Sequence, residues 1–110
     1  MARAAGVLVA GLVLAATLLP AALRAQDDPE LVERGRRLVE RNCAECHAVG
    51  RDDASALPAA PPFRTLKEQY PIEALAEPLA EGISAGHAEM PERAFAPEDV
   101  DAILAYLGTL

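Results

Sequence analysis

Both cysteines of the chain fall in one run, Cys43-Ala44-Glu45-Cys46-His47, so every thiol is committed to a single site. A separation of three residues on a helical turn brings two side chains to the same side. Two thiols placed in this way can each add to a vinyl group of one porphyrin, and His47 can then bring an imidazole beneath the iron. Cys-x-x-Cys-His is accordingly the pattern of covalent haem attachment. Other uses of the thiols compete. A disulfide suits an exported chain, and a thioredoxin-like redox pair also uses Cys-x-x-Cys. Zinc could recruit both cysteines together with His47 and His87, the only histidines present. The first two leave His47 without a role, and adjacent ligands such as Cys46 and His47 match zinc spacing poorly.

An iron held by His47 calls for a ligand on its other face. After Met1 one methionine remains, in Gly86-His87-Ala88-Glu89-Met90-Pro91. An isolated methionine is ordinarily a filler of core gaps; a haem in the same chain makes its thioether the favoured distal ligand. His87 would instead give a bis-His site, and Lys67 is a third donor. Six-coordinate iron leaves no position for substrate, which points to electron transfer. Without Met90 on the iron, the site would suit a five-coordinate haem enzyme or a gas sensor.

The elements that must position these groups are helical. Asp28 can cap a helix running to Asn42, with Pro29 in its first position and Glu30 at the positive end of the dipole. Leu31, Leu38 and Val39 share one face of it. Gly35 interrupts this helix at a cost of about 1 kcal/mol relative to alanine, which close approach of another helix would explain. From Pro97 to Leu107 a first-turn proline and two acids precede Val100, Ile103, Leu104 and Leu107, an amphipathic stripe. Ala96 stands where a capping side chain is expected. Between these helices, a loop from Ala48 to Pro62 leads into short helices over Phe63 to Glu81, divided by Pro71 and Pro78; Pro78 predicts a kink or a break. Gly82 to Ala96 reads as irregular chain, and nothing alternates as a strand would.

With 110 residues the chain has room for one small domain. Part of that length reads as an export signal: Arg3, an uncharged stretch from Ala4 to Leu23, Pro20, and Ala25 as the small residue for cleavage, with a less usual Leu23 two positions before it. The alternative is an uncleaved anchor, since about 20 apolar residues span a bilayer. These readings predict a signal over 1–25, a domain over 26–110, and a periplasmic location, or the periplasmic face of the membrane if the anchor is retained. Loss of Arg3 and Arg24 would leave eight of the ten basic side chains against seventeen acidic ones. Such a surface excludes nucleic acid as a partner and favours a basic redox protein. Glu40, Glu45, Asp52, Asp53, Glu89 and Glu92 lie near the haem-binding motifs in sequence and are the candidates for steering it. A domain this close to about 80 residues seldom stabilises itself without a staple. With two Phe, two Tyr and no Trp, a porphyrin would supply the missing apolar bulk.

Taken together, the mature chain resembles a class I bacterial cytochrome c. The resemblance rests on Gly35, on Cys43-Ala44-Glu45-Cys46-His47, on Pro61-Pro62-Phe63, on Met90-Pro91 and on Leu104-Ala105-Tyr106-Leu107. It implies an all-α fold of three to five helices around one covalent haem c, thioethers at Cys43 and Cys46, and axial iron ligands His47 and Met90. It also implies that Gly35 packs against Tyr106, and that the Pro61 carbonyl, or alternatively that of Pro62, holds the other ring nitrogen of His47. A monomeric electron carrier is implied, or an electron-transfer subunit of an exported dehydrogenase or oxidase. Ala96 and Pro78 depart from the family pattern.

Overall fold

The computed structural model describes residues 25, 27–82 and 89–110. The stretch read as an export signal and His87 therefore lie outside the described residues. Among those described, there are three α-helices and two 3₁₀ segments and no strand: α1 (Pro29–Asn42), 3₁₀ segments Phe63–Glu68 and Ile72–Leu75, α2 (Ala76–Glu81) and α3 (Pro97–Leu107). The all-α expectation holds. No helix of the described residues is long and apolar enough to cross a membrane.

Helix α1 starts where its chemistry says it should. Asp28 is extended (φ −87°, ψ 103°) and its Oδ1 accepts from the N–H groups of Glu30 and Leu31 at 3.0 and 3.2 Å. A cap of this kind contributes about 1 kcal/mol. Gly35, Leu38 and Val39 form its buried face, flanked by the partly buried Leu31 and Val32. The outer face carries Glu33, Arg36, Arg37 and Glu40, joined by ion pairs three and four residues apart. Hydrogen bonding from Arg36 holds the Glu33 carboxyl below the usual carboxylate range.

Helix α3 forms without a capping side chain. Ala96 supplies only its carbonyl, which accepts from Asp99 and Val100 at 2.9 and 3.0 Å, while Pro97 presets the first turn. What the cap lacks, tertiary packing supplies. Val100, Ala102, Ile103, Ala105, Tyr106 and Leu107 are buried, and Arg34 of α1 reaches Asp99 at 2.6 Å. The buried set differs from the stripe expected of the sequence: Leu104 is only half-buried, whereas Ala102 and Tyr106 are turned into the crossing with α1.

At that crossing Gly35 is indispensable. A Cβ on it would stand 1.8 Å from the Ala102 carbonyl oxygen, 2.6 Å from its carbon and 2.9 Å from the Tyr106 Cβ. The expected contact with Tyr106 is present, but the tightest neighbour is the Ala102 backbone. Tyr106 then runs past the glycine, and its hydroxyl donates to the Val49 carbonyl at 2.5 Å. Burial of the ring pushes its phenol above the ordinary tyrosine range.

The middle of the chain divides at Pro71 as expected, but not at Pro78. Pro71 separates the two 3₁₀ segments, and the helical stretch after it changes from 3₁₀ to α at Ala76. Pro78 is the third residue of α2, within the first turn, where an N–H would have no partner inside the helix. It therefore breaks nothing. The helix ends at Gly82, whose φ of +107° few side chains could adopt. Ile72, Leu75 and Leu79 join Leu38, Val39, Leu66 and the α3 residues in one core. That core is made of small pieces: among the described residues, the largest side chain buried to below 2 % is Val39.

Candidate haem site

The attachment motif continues α1 by one further turn. Cys43 closes the helix with its N–H on the Val39 carbonyl at 2.9 Å, and its own carbonyl accepts from Cys46 and His47 at 3.1 and 2.9 Å. The chain therefore winds helically through the motif, and positions three and four apart share a side of such a turn. The two thiols are not bonded to each other. Among the described residues no group of three or more His, Cys, Asp and Glu assembles to hold a metal, so a zinc site lacks its donor set there.

His47 is fixed from behind. Its Nδ1 lies 2.9 Å from the Pro61 carbonyl oxygen. A carbonyl can only accept, so Nδ1 carries the proton and Nε2 keeps a lone pair for a metal. The ring also packs on Phe63, with centroids 4.7 Å apart and planes tilted by 36°. Pro61 and Phe63 are delivered by a loop that is tied down at several points. Ser55 Oγ accepts from Ala48, Asp53 accepts from Val49 and Gly50, and the N–H groups of Leu57 and Phe63 reach the Cys46 and Ala48 carbonyls. Of the two prolines considered, Pro62 has its carbonyl engaged by the Thr65 N–H and hydroxyl, at 3.0 and 2.7 Å.

Met90 is half-buried in the irregular segment before α3. Lys67 is occupied elsewhere, because its Nζ donates to the carbonyl of Leu110, three residues beyond α3. Two residues outside the motif readings matter here. Arg93 donates to Asn42 Oδ1, next to Cys43, and Phe95 donates its N–H to the Leu79 carbonyl at 2.9 Å. Nothing in periodicity signals the first; a cation facing the negative end of α1 is the only hint.

The surroundings suit a large apolar group. Cys43, Ala44, Phe63, Ala76, Phe95 and Leu104 are partly buried hydrophobic residues that sit against the core. Burial pushes the Cys43 thiol up to about 11, with the nearby Arg93 charge opposing. Burial that disfavours a thiolate imposes no such cost on a neutral thioether.

The cytochrome c family model, described as "Cytochrome c", matches residues 32–110. No curated protein and no solved structure matches the chain. The matched span includes the attachment motif, Pro61, Met90 and α3, and the chain belongs to the cytochrome c family. Its cofactor is therefore covalent haem c with iron, and the family to which it belongs acts in general as haem-based electron carriers.

Proposed function

We propose that this protein carries single electrons between redox proteins outside the cytoplasm, with one haem c held by Cys43 and Cys46 and ligated by His47 and Met90. The observation that carries the reading is the Pro61–His47 hydrogen bond, which presents Nε2 immediately after two unpaired thiols. The haem iron supplies reversible one-electron chemistry. The chain's own residues do the rest. Cys43 and Cys46 anchor, the Pro61 carbonyl raises the basicity of His47 and fixes its plane, and Met90 occupies the remaining face against small ligands. A neutral thioether opposite imidazole favours the reduced state. Arg3, the uncharged stretch from Ala4 to Leu23, Pro20 and the small residue Ala25 support export, with residues 26–110 as the functional domain.

Met90→Ala is expected to erase the weak long-wavelength sulfur-to-iron band of the oxidised protein, to lower the potential, and to let carbon monoxide bind the reduced form readily. His87→Ala leaves all three unchanged. The opposite pattern would make the site bis-His and return Met90 to the core; ready carbon monoxide binding by the unaltered protein would favour a five-coordinate enzyme or sensor.

The partner proposed is a redox protein with a basic docking face, because acidic side chains outnumber basic ones seventeen to ten. Two of the acids considered for steering have other work: Glu40 pairs with Arg36, and Asp53 holds the turn at Val49 and Gly50. Glu45, Asp52, Glu89 and Glu92 are exposed and remain the candidates. Stopped-flow electron transfer with the native partner should slow as salt rises, since screening acts beyond about 8 Å at physiological ionic strength. A flat or rising dependence would place apolar contact or permanent subunit assembly in control.

A further inference from the structure

The segment that carries Met90 is fastened to the body of the protein on two sides. On one, the Phe95 N–H donates to the Leu79 carbonyl of α2 at 2.9 Å. On the other, the Arg93 guanidinium donates to Asn42 Oδ1. The second attachment is built with care. Asn42 is the last residue of α1, and its Nδ2 already donates to the Leu38 carbonyl at 2.7 Å, which orients the amide and leaves Oδ1 as an acceptor facing outward. That acceptor cannot swing away without giving up its own bond to the helix. It also stands at the negative end of the α1 dipole, where a cation is favoured.

Met90 stands three positions before Arg93, a backbone reach of about 10 Å at full extension. Fixing Arg93 on Asn42 therefore confines Met90 to the neighbourhood of the α1 terminus, where Cys43 begins the attachment motif. We propose that Arg93 is a positioning residue whose hydrogen bond to Asn42 latches the Met90 segment to the helix bearing Cys43 and so keeps the Met90 sulfur on the iron. The proposal rests on the reading of Met90 as distal ligand. With the latch broken, the ligand-off state is more populated, and an external ligand competes better for the same face.

Imidazole titration of the oxidised holoprotein, followed through loss of the sulfur-to-iron band, tests this. Arg93→Met, which keeps length and removes the donors, should bind imidazole about two- to tenfold more tightly than the unaltered protein, the scale of one exposed hydrogen bond from a charged donor. Arg93→Lys, which restores a donor, should fall back toward the unaltered value. In an Asn42→Ala background, Arg93→Met should add nothing; if that background fails to fold, the Met and Lys comparison decides by itself. Equal affinity for Arg93→Met and the unaltered protein overturns the latch, as does a full effect of Arg93→Met in the Asn42→Ala background. Met90→Ala separates the two levels. If it binds imidazole far more tightly while Arg93→Met does not, only the latch fails. If the unaltered protein already binds as Met90→Ala does, Met90 is no ligand and the latch falls with it.

Discussion

Cys43→Ser combined with Cys46→Ser is expected to abolish covalent haem completely, because the chain has two cysteines and both are in the motif. Acid–acetone treatment should leave haem on the unaltered protein and extract all of it from the double variant. Free extraction from the unaltered protein would end the attachment claim. The loss should spread beyond the cofactor. No other side chain approaches a porphyrin in size, and the largest wholly buried one among the described residues is Val39. So small a core is expected to depend on its covalent group, so the double variant should lose cooperative unfolding as well as colour.

Gly35→Ala carries the next largest effect. The added Cβ would stand 1.8 Å from a backbone oxygen of α3, and a helix backbone cannot step aside as a side-chain tip can. Helices α1 and α3 must separate, and overpacking of this kind costs about 1–3 kcal/mol or more. Improved helix propensity returns about 1 kcal/mol at most. We expect a net loss of about 2 kcal/mol, or roughly 10 °C in Tm for a domain of this size, measured by thermal and denaturant unfolding of the holoprotein. Gly50→Ala is the milder comparison: its Cβ would meet only the Asp53 side chain, at 3.0 Å, which relieves the contact by a few tenths of an ångström at some cost to its bonds with Val49 and Gly50. A Gly35→Ala protein as stable as the original would mean that the helices do not cross at this distance in solution.

Much of this architecture was legible because the signals are local. Asp28-Pro29 announces the start of α1, and Pro97 with its acids announces α3 strongly enough to survive the uncapped Ala96. The attachment motif is legible for the same reason, since its chemistry depends on residues within one turn of each other. Harder features depended on partners distant in sequence. The α3 stripe pointed to Leu104, yet Ala102 and Tyr106 are the residues that enter the α1 crossing, because a glycine elsewhere makes room there. Pro78 looked disruptive until its position in the first turn of α2 was known. Choosing between the Pro61 and Pro62 carbonyls needed the fold, because Thr65 takes up one of them. The Arg93–Asn42 bond spans 51 residues and leaves no periodic trace.

The burial of Cys43 also says something about the order in which the protein is made. A thioether forms when a thiolate sulfur bonds to one carbon of the vinyl group and a proton is delivered to the other, so the reactive species is the thiolate. In the folded chain without its cofactor, burial pushes the Cys43 thiol up to about 11, which disfavours the thiolate at neutral pH. An unfolded chain has no such penalty, because water solvates the thiolate. Addition of the Cys43 sulfur to a vinyl group is therefore expected to be easier on an open chain than on the folded chain without its cofactor. The packing around the half-buried Cys43 thus suits a neutral thioether better than the charged sulfur that forms it.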